Sequence, residues 1–328
     1  MIVTGGLGFI GSHVADAYLA LGNTVVIIDS KVSSVISDEK YVQHPRCLVY
    51  EMSVEDFFIG GGSVEGAERV IHAASLVGPA GILQYAGRVG PDIVRSAEVI
   101  IEDCIAHDVR LCIFSSAEVY GRSGQLAETD TIMVPPEYSV RIEYAVAKTL
   151  TEALVANSAH RGLRGIAIRP FNVTGPRQSE AGGFVVPTFV QQALAGEDLT
   201  VFASGDQLRA FLSVTDLKRF LVEHMDAALS SEHLIFNVGN SANKISMWDL
   251  AQMVKSRTAS NSRVLRVDAK TIHGPLYEEA ESFEKTPVLG SAGEVGWNPE
   301  VGLVDLIDET IAYYRAIVSN RNVASVNA

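Results

Sequence analysis

The stretch Thr4-Gly-Gly-Leu-Gly-Phe-Ile-Gly-Ser12 decides how this chain folds. It follows a short β-branched run, Ile2 to Thr4, and leads into a helical segment, Gly11 to Leu21. Gly6, Gly8 and Gly11 satisfy GxGxxG, while Gly5, Gly8 and Gly11 satisfy the related GxxGxxG. Between a strand and a helix, such glycines allow a tight turn, let backbone approach a pyrophosphate, and bring helix and strand close together. The unpaired N–H groups at the helix start then face the phosphates. Gly5, Gly8, Phe9, Ile10 and Gly11 are therefore expected to contact a dinucleotide. The next strand-like run, Thr24 to Asp29, ends on an acid. A carboxylate about 20 residues beyond the glycines is where ribose hydroxyls are received. No Arg follows Asp29 at once, although Lys31 is near, so NAD is expected rather than NADP.

Outward from this turn, short apolar runs alternate with helical segments. Cys47 to Glu51, Arg69 to His72, Leu111 to Ser115 and Gly165 to Arg169 read as further strands. Their near-continuous apolar character suits parallel strands covered on both faces. Pro91 to His107 and Tyr144 to His160 read as helices between them. The alternation predicts an α/β fold with a right-handed, doubly wound parallel sheet, a Rossmann arrangement. Ligands bind such sheets beyond the carboxyl ends of the strands. After Pro170 the rhythm breaks. A Gly- and Pro-rich loop (175–187) precedes helices near Thr188 to Ala195, Met247 to Ser256 and Leu303 to Val318, with a short strand near Val201. Residues 1–170, with some return near 210–240, are expected to form the nucleotide domain. Residues 171–209 and 241–318 would form a smaller α+β substrate domain, and 319–328 a disordered tail.

Composition narrows the function. Forty-seven per cent hydrophobic and 20% charged residues are ordinary for a globular chain. A net charge of -13, with no clustered Lys or Arg, argues against nucleic-acid binding. No apolar run is long enough to span a membrane, and Met1 leads straight into the first strand, so a cytoplasmic protein is expected. Cys47, Cys104 and Cys112 show no ligand spacing and read as buried thiols; no metal site is expected.

Tyr144-Ala-Val-Ala-Lys148 sets a phenol and an ammonium one turn apart on a helix face. A cation beside a phenol stabilises phenolate and makes it a usable general base. The bland alternative is a packed Tyr beside a solvated Lys. Ser115-Ser116-Ala117-Glu118-Val119-Tyr120-Gly121, directly after the fifth strand, favours the catalytic reading: a hydroxyl there projects at the carboxyl edge of the sheet.

These stretches, with VIHAAS (70–75), RPFNVTGPRQ (169–178), GDQLRAFLSVTDL (205–217) and GWNP (296–299), resemble the extended short-chain dehydrogenase/reductases. Within them the closest likeness is to the NAD-dependent nucleotide-sugar epimerase/dehydratase group, and it covers nearly the whole chain. The resemblance implies that Ser116, Tyr144 and Lys148 form a triad. Tyr144 would take the sugar 4-hydroxyl proton as the C4 hydride passes to tightly bound NAD, and Lys148 would also hold the nicotinamide ribose. It implies adenine contacts by Glu51 and Met52, a cofactor channel lined by Ala73 and Ala74, and nucleotide-diphosphate contacts by Asn172 and Arg209. For Arg209, an ion pair with Asp206 or Asp216 is the alternative. It also implies a homodimer through the helices holding Pro91 to His107 and Tyr144 to His160.

The fate of the 4-keto sugar stays open among epimerisation, dehydration and decarboxylation. Glu118 could act on C5, or could merely order its loop. Ala117 stands where 4,6-dehydratases carry an Asp, which disfavours dehydration. Arg141 with RPFN and GPRQ resembles the UDP-glucuronate decarboxylase and apiose/xylose synthase branch. The family's usual diphosphate Arg is missing from the acidic stretch 280–287: either Lys285 there substitutes, Arg177 contributes, or the nucleotide is held differently. A non-catalytic NAD-binding sensor is the alternative outside the enzymes. The base and the sugar of the substrate are not legible.

Overall fold

The computed structural model describes residues 1–122, 124–135, 139–274, 277 and 283–326, with side chains of the last helix described to Ser319. Its centre is a seven-stranded sheet in the spatial order Cys47–Tyr50, Val25–Ile28, Ile2–Thr4, Arg69–His72, Arg110–Phe114, Gly165–Pro170, Ile235–Val238. Every neighbouring pair is parallel. From the Ile2–Thr4 strand the chain first builds outward one way, then crosses over to Arg69–His72 and builds the other way. That reversal opens a crevice at the carboxyl ends of these two strands, and the glycine turn leaves from it.

Alternation along the buried strands feeds two cores. Val3, Ile27, Ile71, Cys112, Ile166 and Ile168 pack on one face of the sheet. Ile2, Ile28, Val70, Leu111, Ile113 and Ala167 pack on the other. The three cysteines are buried free thiols. The Val89–Ala106 and Val140–Ser158 helices lie against each other on the second face. Ser139 starts the latter by accepting the Ile142 N–H at 3.3 Å.

A third core gathers Val186, Phe189, Val190, Leu250, Val254, Leu306 and Ile311 from later in the chain. Beside it a four-stranded sheet runs in the order Lys244–Ser246, Leu208–Ala210, Glu284–Pro287, Gly124–Leu126. Its last strand comes from inside the expected nucleotide half, since Gly124 to Leu126 pair with Lys285 to Pro287. The helix expected near Thr188 starts at Val185. Pro187 fits within its first turn, where a missing N–H costs nothing. The final helix runs Leu303–Val326 and so takes in most of the segment expected as a tail.

Candidate active site

The glycine turn is built by contacts that exclude side chains. Gly5 has φ +67°, and a Cβ there would lie 2.9 Å from the Ala74 backbone. A Cβ on Gly11 would run into the Gly5 carbonyl oxygen. Gly8, by contrast, faces open space: an added Cβ would meet only the Gly5 oxygen, at 3.2 Å. Gly5, Gly6 and Gly11 are therefore the sterically enforced positions, a Cβ on Gly6 falling 2.7 Å from Ile27, whereas Gly8 leaves room over the helix start. Gly8 caps the Phe9–Ala20 helix without any side-chain hydrogen bond, so no side chain competes for the N–H groups of Phe9, Ile10 and Gly11. An uncapped helix start over an open glycine fits a pyrophosphate.

Asp29, nearly buried, accepts the Leu7 N–H at 2.9 Å and the Lys31 N–H at 2.8 Å, which ties the second strand to the glycine turn. Lys31 spends its charge on Asp38 (3.0 Å) and Glu51 (2.6 Å). With Lys31 so engaged, the surroundings of Asp29 suit a free ribose better than a phosphorylated one. Glu51 is held by that pair, and Met52 packs on the second core. Ala73 and Ala74 donate to the Thr4 carbonyl (3.2 Å) and Thr4 hydroxyl (3.1 Å), which sets them against Gly5 in the crevice.

Ser116, Tyr144 and Lys148 converge beside this crevice. Ser116 ends the fifth strand in extended backbone and accepts the Glu118 N–H at 3.1 Å. Burial pushes the Tyr144 phenol above its ordinary value; the nearby Ser116 hydroxyl opposes the rise and the Glu118 charge adds to it. Lys148 Nζ donates to the Phe114 carbonyl at 2.7 Å and lies 5.7 Å from the Tyr144 ring centroid. Burial pulls the Lys148 ammonium down to about 7, against the pull of Glu152.

Glu152 is a residue the sequence reading missed. It sits one turn beyond Lys148 and accepts from Ser115 Oγ at 2.5 Å and from Arg169 Nε and Nη2 at 2.7 and 2.6 Å. Arg169 in turn lies 4.7 Å over the Tyr120 ring. The signal was available: Tyr144, Lys148 and Glu152 are spaced by four along one helix, so they share a face.

Glu118 is not a loose surface acid. Lys285 Nζ lies 2.6 Å from one of its oxygens, and Arg141 Nη1 3.4 Å from the other. Burial would raise this carboxyl, but Lys285, Arg141 and Arg209 outweigh it and hold it at about 2. Lys285 is 5% exposed, and burial is the main influence lowering its own ammonium. Arg209 and Lys285 are register partners on adjacent strands, so both reach the cluster from the small sheet. Of the acidic stretch 280–287, residues 280–282 lie outside the described residues.

The expected substrate residues have partners of their own within the protein. Asn172, with φ +38°, donates to the Ala210 carbonyl at 3.1 Å. Arg177 pairs with Asp16 on the first helix at 2.8 Å. Arg209 donates to the Leu208 carbonyl at 2.8 Å. Asp216, its suggested ion-pair alternative, accepts instead the N–H groups of Glu300 and Val301, at 3.0 and 2.9 Å, and pairs with Arg219.

Residues 1–239 match the model of the NAD dependent epimerase/dehydratase family. The chain belongs to that family. Its members depend on NAD, and the enzyme is of the extended short-chain dehydrogenase/reductase class. Among similar proteins is the UDP-N-acetyl-alpha-D-glucosaminuronate decarboxylase of Bacillus cytotoxicus. It is 29% identical over 322 residues, covering 96% of this chain and 98% of the relative. The UDP-D-apiose/UDP-D-xylose synthase 2 of Arabidopsis thaliana is 26% identical, covering 93% and 88%. Among solved structures, the UDP-glucose 4-epimerase of Thermotoga maritima with UDP-glucose superposes with a TM-score of 0.80 at 26% identity, covering 97% and 99%. Among the described residues, no helix is long and apolar enough to cross a membrane.

Proposed function

We propose that this enzyme oxidises C4 of a UDP-linked uronate and releases its C6 carboxylate as carbon dioxide. The observation that carries the proposal is the charge cluster beside Tyr144: among the described residues three cations, Arg141, Arg209 and Lys285, act on the Glu118 carboxylate. Cations gathered next to the reacting hydroxyl suit an acidic sugar better than a neutral one. NAD, when bound, supplies the hydride acceptor at C4. Tyr144 takes the O4 proton, with Ser116 sharing the hydrogen bond and Lys148 lending its charge. The ketone at C4 makes the C5 carboxylate that of a β-keto acid, which loses carbon dioxide without a base. That suits a Glu118 held ionised at about 2, a poor base and a poor acid. Dehydration, which needs both, fits less well. The relatives named as decarboxylases support the same reading. A non-catalytic sensor would not need an intact Ser116, Tyr144 and Lys148 set.

Gly5, Gly8, Phe9, Ile10, Gly11, Asp29, Glu51, Met52, Ala73 and Ala74 would hold the cofactor with Tyr144 and Lys148. Asn172 and Arg209 would meet the nucleotide diphosphate, while Arg177, tied to Asp16, would act on it only at a distance. A homodimer is proposed through the Val89–Ala106 and Val140–Ser158 helices, since Val146 and Leu150 stand exposed on the latter. The decisive assay incubates NAD-loaded protein with UDP-glucuronate or UDP-glucose and reads products by NMR. Carbon dioxide and a nucleotide pentose from the uronate are expected. C4 inversion of UDP-glucose, with the uronate keeping its carboxyl, would overturn the proposal.

A further inference from the structure

The Glu118–Lys285 pair joins two parts of the molecule that are far apart in sequence. Glu118 belongs to the turn leaving the fifth strand of the large sheet, and Lys285 to the small sheet. Lys285 is 5% exposed, and its ammonium sits 2.6 Å from one Glu118 oxygen. Arg141, at the start of the helix carrying Tyr144 and Lys148, lies 3.4 Å from the other. The first distance is that of a full charge-assisted hydrogen bond, and the second is too long for one. Glu118 therefore discharges most of its negative charge on Lys285 and leaves Arg141 loosely engaged. Removing Lys285 would alter two things together. Glu118 would draw Arg141 into a full ion pair, and its uncompensated charge would face whatever lies beside Tyr144.

We propose that Lys285 is a specificity-determining positioning residue: it neutralises Glu118 so that Arg141 stays free to receive the carboxylate of an acidic sugar. The inference rests on the uronate reading above. It assigns Lys285 a task different from gripping the diphosphate, which every nucleotide sugar carries whatever its C6 group. The two tasks separate on that difference. A diphosphate grip contributes alike to acidic and neutral sugars, whereas a guard over Arg141 contributes only to acidic ones. The contacts give a second test of sign. Neutralising Lys285 gives Glu118 over to Arg141, and neutralising Glu118 releases Arg141 from it. The two neighbours, in direct contact, should move uronate affinity in opposite directions.

The experiment uses NAD-loaded protein carrying Tyr144→Phe to block turnover and titration calorimetry with UDP-glucuronate and with UDP-glucose, comparing it alone and with Lys285→Met, Lys285→Arg or Glu118→Gln added. Lys285→Met should weaken UDP-glucuronate by roughly tenfold, the worth of one partly screened charge contact, and shift UDP-glucose by less than about twofold on the same scale. Lys285→Arg should restore most of the loss, and Glu118→Gln should leave uronate binding equal or tighter. Retained UDP-glucose binding by Lys285→Met serves as the check that the variant folds. Equal weakening of both ligands would overturn the inference in favour of a diphosphate grip. So would weaker uronate binding by Glu118→Gln. If the wild type neither binds nor converts UDP-glucuronate while it converts UDP-glucose, the uronate reading itself fails; a wild type that converts UDP-glucuronate but whose Lys285→Met variant shows no selective loss defeats the Lys285 inference alone.

Discussion

Replacing Glu152 with Gln changes one oxygen for an NH2 group at a point where three polar side chains meet, Glu152, Ser115 and Arg169. Both side chains of the Glu152–Arg169 pair are nearly inaccessible, at 6% and 4%. Glu152 receives three hydrogen bonds there, from Ser115 Oγ at 2.5 Å and from Arg169 at 2.6 and 2.7 Å. Arg169 has no other way to discharge: its Nη1 is buried without a hydrogen-bond partner among the described residues, and its remaining contact is the Tyr120 ring. Glutamine keeps the shape but leaves a guanidinium buried without a counter-ion. Breaking a buried pair from one side in this way costs about 3–5 kcal/mol. At roughly 2 °C per kcal/mol for a chain of this size, the melting temperature should fall by about 6–10 °C.

The double variant Glu152→Leu/Arg169→Met removes both charges and should recover most of that loss, because an apolar pair of similar volume carries no desolvation penalty. Activity should respond as well. Glu152 is the group that opposes the burial-driven lowering of Lys148. Without it the ammonium is less favoured, so Lys148 loses its proton at lower pH, and the alkaline limb of the rate profile should move down from its wild-type position. Thermal melts and a pH–kcat series measure both effects. A single variant that melts within about 2 °C of wild type, or a double variant no more stable than the single one, would refute the reasoning.

Three further outcomes follow from the site. Gly11→Ala places a methyl group against the Gly5 carbonyl, so the purified variant should carry little bound NAD; the absorbance ratio of the isolated protein reads this directly. Lys148→Met should abolish turnover yet raise the melting temperature, since it removes a cation that burial already holds down to about 7. The sign follows from that lowering: the folded state prefers the neutral amine, so the wild-type penalty is full below about pH 7 and fades as pH rises toward the ordinary lysine value of 10.5, and the variant's advantage should fade with it.

Much of the large sheet is legible in local patterns. Arg69–His72 and Ile2–Thr4 have the bounds that their β-branched runs suggest, because parallel strands buried on both faces are rich in such residues. The glycine turn was equally legible, since its requirements fall on residues within seven positions of one another. The small sheet was not legible in the same way. Gly124 to Leu126 is three residues long and gains its partners from a strand some 160 positions later, which no local pattern encodes. For the same reason Lys285 could be named as a candidate cation, but not placed on Glu118. Glu152 lay within reach of helical spacing. What hid it was that its partners come from the large sheet, Ser115 just after the Arg110–Phe114 strand and Arg169 on Gly165–Pro170.

The state of Glu118 also bears on where the C5 proton of the product comes from. Elimination and C5 inversion both begin by removing the C5 hydrogen, and both need a base there. A carboxylate held at about 2 by Lys285, Arg141 and Arg209 has little affinity for a proton. Decarboxylation removes carbon dioxide instead and keeps the original hydrogen, so C5 gains one new proton after the C5–C6 bond has broken. Tyr144 cannot supply that proton without losing the one it must return to O4. The new proton therefore comes from solvent-exchangeable sources. In deuterated water, the nucleotide pentose formed from UDP-glucuronate should carry one deuterium at C5 in addition to its original hydrogen. UDP-glucuronate recovered at half conversion should carry none. Label in the recovered uronate at C5 would mean that a base reaches C5 before the carboxylate leaves, and Glu118 would then have to act in the free, proton-accepting form that its three cations oppose.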